Sequence, residues 1–149
     1  MNDDAEIIAE FLVESHENLD QLDQDLVELE RAPDSRELLS SIFRTIHTIK
    51  GTSGFLALNR LEALTHAGEN LLSRLRDGEL VMTGDTTEVL LRMVDAVRHL
   101  LDLVEQRGSD AAVGEDGVDV DAVVRAVQDV LDGAADVAVE GAATPAEPA

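Results

Sequence analysis

The chain has 149 residues, 44% of them apolar, a formal net charge of −21 and no cysteine. That apolar content suffices for one core and one compact domain with a tail. The acidity argues against nucleic acid or an anionic membrane, both of which need clustered Lys and Arg, and the missing cysteine excludes disulfides, thiol catalysis and thiolate metal sites. The expected partner is a protein. Met1-Asn2-Asp3-Asp4 is acidic where a signal peptide would be basic, and no apolar run approaches the ~20 residues of a membrane span, which implies a cytoplasmic chain with no membrane insertion.

Apolar residues recur at spacings of three and four, the period of helices. The first helix is expected from about Asp4 to Glu30, with Ile8, Phe11, Leu12, Ser15, Leu19, Leu22, Leu26 and Leu29 on one face. Its acidic back, including Asp20, Asp23 and Asp25, reads as a solvated face. Pro33 ends that helix, and Asp34 with Glu37 forms a capping box for a second one that buries Leu38, Leu39, Ile42, Ile46 and Ile49. The third starts near Asn59, capped by that residue with Glu62, and buries Leu61, Leu64, Leu71, Leu72 and Leu75 before Gly78 stops it. Asp85 and Glu88 offer the next capping pair, and a stripe from Val89 to Val104 runs to Gly108.

From Ser109 to Gly117 the composition is that of a loop. A shorter, β-branched fifth helix over about 118–132 presents Val120, Val123, Val124, Val127 and Leu131 for docking. Beyond Gly133, residues 133–149 read as a flexible acidic linker containing Ala and Pro. The economical architecture is all-α: an up-down-up-down four-helix bundle over about 4–108 with the fifth helix beside it, the domain spanning 1–132.

The chemistry centres on His47-Thr48-Ile49-Lys50-Gly51, which holds the only lysine of the chain. His47, Arg44, Lys50, Gly51 and Gly54 lie away from the isoleucines, so His47 should face water. Glycine inside a helix costs about 1 kcal/mol relative to alanine; its use here is either close approach of another protein to the imidazole or the end of the helix. On the third helix His66 and Glu69 share a face with Glu62 and Ser73, within reach of His47 if the two helices are antiparallel neighbours. A phosphoacceptor histidine needs one exposed, unprotonated ring nitrogen, an acceptor for the other, and a cation beside the incoming phosphoryl oxygens. Glu69 and Lys50 suit the last two roles, with Arg44 behind Lys50. His16 and His99 have no such company and read as structural.

These residues resemble the signature of histidine phosphotransfer domains. The extension Thr52-Ser53-Gly54-Phe55, followed by His66 and Glu69, is similar to the N-terminal phosphotransfer domains of CheA-type chemotaxis histidine kinases, over about residues 5 to 132. The resemblance implies that His47 takes a phosphoryl group from ATP through a separate kinase catalytic domain and passes it to an aspartate of a response regulator receiver domain. It assigns Lys50 as the neighbouring cation, Glu69 as the carboxylate on the ring, His66 as a further polar residue of the site and Gly51 as the small position. No Gly-rich ATP-binding motif is present, so the chain needs no cofactor of its own.

Two other classes compete. One is a metal site using His47, His66, Glu69 and Glu62, which Lys50 would oppose by repelling a divalent cation. The other is a helical adaptor without chemistry, which leaves the placement of Lys50 and the glycines unexplained.

Overall fold

The computed structural model describes residues 2–108 and 119–143, all of its regular structure helical: α1 Asn2–Arg31, α2 Arg36–Phe55, α3 Asn59–Arg76, α4 Gly84–Arg107 and α5 Val120–Ala143. Helix α1 packs on α2 and α4, α3 packs on α2 and α4, and α5 lies against α3 and α4. The first four helices thus close a ring around one core, joined by short connections, and α5 covers one of its grooves. The expected bundle is what forms.

The core is built from the predicted stripes. Leu19 and Leu22 of α1, Ile42 and Ile46 of α2, Leu64 and Leu71 of α3, and Val97 and Leu100 of α4 are fully buried. Each such side chain contributes about 1.5–3 kcal/mol by leaving water. Val120, Val123, Val127 and Leu131 of α5 join the same core, as their spacing implied. At Gly68 of α3 an added Cβ would press on Sδ and Cε of the buried Met93, at 2.8 and 2.6 Å. A bare backbone there lets α3 lie close on α4.

The helix starts differ from expectation by a residue or two. Ser35, not Asp34, caps α2, its Oγ accepting from the Leu38 amide at 3.2 Å, because Asp34 lies in the preceding turn. Leu58 rather than Asn59 stands at the N-cap of α3, with no side-chain cap; the chain reaches it through Ala57 in a left-handed conformation at φ 59°. Burial of Leu58 fixes that entry instead. Thr83, not Asp85, caps α4 through the Thr86 amide. The helix ends follow expectation: Gly78 and Gly108 have φ values of 78° and 72°, and the Gly108 amide donates to Val104 at 2.7 Å.

Two larger corrections concern α5 and Asp25. Helix α5 starts after Asp119, whose carboxylate accepts from the Ala122 amide, and continues through Gly133 to Ala143, so it is as long as α4 rather than shorter. The Ala-rich stretch after Gly133 favours helix over linker. The expected 109–117 loop and residues 144–149 of the expected linker lie outside the described residues. Asp25 is not on a solvated face: it is 5% exposed, accepting from Ser41 Oγ of α2 at 2.7 Å and from Gln21 Nε2 at 3.1 Å. A buried carboxylate is tolerated there because both oxygens are hydrogen-bonded. Asp23, by contrast, stays at the surface and holds Arg98 with both oxygens at 2.8 and 2.9 Å, tying α1 to α4.

Candidate functional site

With Ile42, Ile46, Ile49 and Ser53 turned inward, α2 presents His47 on the opposite side, its side chain 59% exposed. The helix is unbroken across Gly51 and ends at Phe55, so Gly51 is an interior position and not a terminator. Apart from the adjoining residues and the backbone of α2 itself, no atom lies within 4 Å of where a Gly51 Cβ would stand. Gly54 is different: a Cβ there would strike the Glu62 carboxylate of α3, so that glycine serves the packing of α2 on α3.

Helix α3 buries Thr65, Gly68 and Leu72, which leaves Glu69 at the seam with α2. One of its oxygens, Oε2, meets His47 Nδ1 at 3.1 Å and Lys50 Nζ at 2.8 Å. Glu69 and Lys50 are largely covered, with side chains 19% and 23% exposed. Burial alone would raise the Glu69 carboxyl, but hydrogen bonds and attraction from Lys50 and His47 outweigh it and hold the group below its ordinary value. An ionised Glu69 accepts a hydrogen bond from Nδ1–H, and the exposed ring then offers Nε2 as its unprotonated nitrogen.

Three expected site residues, His47, Lys50 and Glu69, are therefore brought together. His66 is not joined to them: it is exposed one turn before Glu69, and among the described residues no hydrogen bond or ion pair links it to the site. Arg44 is also exposed, and its backbone carbonyl accepts from Thr48 Oγ1 at 2.9 Å. The alternative metal set is not assembled either. Among the described residues, the group of ligating side chains close enough to share an ion is His16, Asp102 and Glu105, on α1 and α4.

Two residues that the sequence did not single out touch the site. The Phe43 ring lies 7° from parallel to the His47 imidazole with centroids 5.9 Å apart, and Cζ of Arg76 stands 4.6 Å from the Phe43 centroid. The spacing of Phe43, one turn before His47, was the available signal. Clefts of about 560 and 250 Å³ occur at the end of the bundle around Met82, and His47 lines neither. An exposed imidazole on an open helix face suits a macromolecular partner better than a small molecule.

Comparison with known proteins points to one family. The Hpt domain family model matches residues 6–100. The chain is 45% identical over 128 residues to the sensor histidine kinase CheAY of Helicobacter pylori, and 35% identical over 123 residues to the chemotaxis protein CheA of Halobacterium salinarum. These alignments cover 86% and 83% of this chain but only 16% and 18% of those proteins, so the chain spans less than a fifth of their length. Among solved structures, the histidine phosphotransfer domain of CheA superposes with a TM-score of 0.72 at 30% identity, over 83% of this chain and 90% of that one. The phosphorylated P1 domain of CheA3 in complex with CheY6 from R. sphaeroides also gives 0.72, at 27% identity, over 83% and 94%.

Proposed function

The chain belongs to the Hpt domain family, and from that premise we propose that it is the phosphotransfer domain of a CheA-type chemotaxis histidine kinase, with His47 as its phosphoacceptor. The observation that carries this reading is the shared Glu69 oxygen, which engages Nδ1 of His47 and Nζ of Lys50 while the imidazole stays exposed. Such a carboxylate fixes the tautomer and increases the basicity of the other ring nitrogen.

In the first transfer, the Nε2 lone pair of His47 attacks the γ-phosphorus of ATP held by a separate kinase catalytic domain. The N–P bond forms as the bond from phosphorus to the bridging oxygen breaks, and that electron pair leaves on ADP. The Nδ1 proton remains between the ring and Glu69, whose charge offsets the positive charge the ring acquires. Lys50, one turn after His47, supplies a cation for the phosphoryl oxygens. In the second transfer a carboxylate oxygen of a receiver-domain aspartate attacks phosphorus, the N–P bond breaks, and its electron pair returns to Nε2. Both partners work where ATP and response regulators are found, in the cytoplasm; no described helix is long and apolar enough to cross a membrane.

The complex of a phosphorylated CheA3 P1 domain with CheY6 supports a receiver domain as the second partner. The test is to load this chain with labelled phosphate, remove the donor, and add a CheY-type receiver. Label should move to the receiver and should fail to move when its acceptor aspartate is replaced by Asn. Retention of label on the chain with several active receivers would contradict the assignment. The adaptor reading separates from this one through His47→Gln, which would leave adaptor binding intact and abolish transfer.

A further inference from the structure

Hydrogen bonding fixes only part of the pose of the His47 imidazole. The Nδ1 contact with Glu69 Oε2 at 3.1 Å sets the direction of one ring nitrogen. It leaves the ring room to tilt, because small coupled changes of the two His47 side-chain torsions turn its plane while Nδ1 stays within reach of Oε2. That freedom matters because the Nε2 lone pair lies in the ring plane, so the plane decides where the nucleophile points.

Phe43, one turn earlier on α2, restricts that rotation. Its ring is 7° from parallel to the imidazole, with centroids 5.9 Å apart, within the range of offset-stacked pairs. Phe43 is itself held from α3. Arg76 lays its guanidinium 4.6 Å from the Phe43 centroid, and its Nε donates to Asp77 Oδ1 at 3.3 Å. The chain has three phenylalanines and no tyrosine or tryptophan. Phe11 is in the core and Phe55 is in solvent, whereas Phe43 is half-buried beside the site. An aliphatic side chain would fill the same half-buried position, but only a flat ring defines a plane.

Resting on the reading of His47 as phosphoacceptor, we propose that Phe43 and Arg76 are positioning residues for the transfer: Arg76 holds Phe43, Phe43 sets the plane of the His47 ring, and Glu69 sets its direction. The two constraints act on the same pair of torsions, and together they aim Nε2.

The test uses Phe43→Leu, which keeps apolar bulk and loses the flat face, Phe43→Tyr, which keeps the face, and Arg76→Gln, which removes the cation. Phosphoramidate serves as donor because it needs no kinase partner. Two quantities are read: the initial rate of His47 phosphorylation, and the nitrogen NMR shifts of the His47 ring, which report how firmly one tautomer is held. Phe43→Leu should slow phosphorylation by roughly tenfold, the scale of a misaimed nucleophile, and draw the two ring-nitrogen shifts together. Phe43→Tyr should restore rate and shifts, and Arg76→Gln should give a smaller loss, about twofold to threefold. A wild-type rate in Phe43→Leu, or a Phe43→Tyr variant as slow as Phe43→Leu, would overturn the proposal. Should Phe43→Leu not fold, Arg76→Gln carries the test, and a wild-type rate with wild-type shifts there overturns it. A wild-type chain that takes no phosphate at His47 would overturn the underlying acceptor reading, a result distinct from labelled wild type with indifferent variants.

Discussion

Lys50 of α2 is bound to Glu69 of α3 at 2.8 Å, through the carboxylate oxygen that also meets the His47 ring. The lone lysine of the chain is therefore anchored before any phosphoryl group arrives, and its ammonium has little freedom left to lose on transfer. A prepositioned charge acts without reorganisation at the moment of reaction, which is where electrostatic catalysis gains most.

Lys50→Ala should lower the rate of His47 phosphorylation by about tenfold, equivalent to roughly 1.4 kcal/mol of barrier. Initial rates measured beside circular dichroism spectra check this. A higher rate than wild type would mean that Lys50 restrains Glu69 and does not stabilise the phosphoryl oxygens.

The Glu69 carboxyl is held below its ordinary value of 4.5, its burial being outweighed by Lys50 and His47. A carboxyl whose folded-state value is depressed contributes stability that is fully present above the unfolded value and lost as pH falls through the folded one. Wild type should thus lose stability relative to Glu69→Gln as pH drops below about 4.5. Denaturant titrations of both proteins at neutral pH and at about pH 3 measure the difference. A gap that stays constant or widens on acidification would contradict the ion pair.

Gly51 sits in the interior of α2 with open space around its missing side chain. Gly51→Ala should raise stability by about 0.5–1 kcal/mol through helix propensity alone. A larger residue such as Gln should keep part of that gain and slow transfer to a receiver domain, since the clearance beside His47 is lost. Thermal melts and transfer rates on the same samples test both halves. Unchanged transfer in Gly51→Gln would remove the steric role.

Ala57 turns the chain from α2 into α3 at φ 59°, a region that L-residues enter at a cost of about 1–2 kcal/mol. Ala57→Gly should relieve part of this and stabilise the domain by about 0.5–1 kcal/mol, with phosphorylation unaffected in rate. A lower melting temperature would show that the methyl group makes contacts worth more than the strain.

The stripes of all five helices were legible because the apolar period survives in the sequence, and so was the joining of His47, Lys50 and Glu69, which follows from that period once α2 and α3 are antiparallel neighbours. His66 was grouped with Glu69 by its i,i+3 spacing. Residues so spaced still differ by about 60° around the axis, enough for Glu69 to face α2 while His66 faces solvent. The capping residues were displaced because adjacent candidates, such as Asp34 and Ser35, have similar chemistry and the register alone chooses between them. Burial of Asp25 depends on Ser41 from another helix, and the Arg76 contact with Phe43 joins α2 to α3 across the bundle. Neither pairing leaves a local trace.

The most direct measurement of the acceptor is to incubate this chain with ATP and an active CheA-type catalytic core, then follow phosphate that is labile to acid and stable to base. Wild type should take up label and His47→Gln should take up none. Equal labelling of both proteins, or an unlabelled wild type beside a core that phosphorylates its own substrate domain, would contradict His47 as the phosphoacceptor.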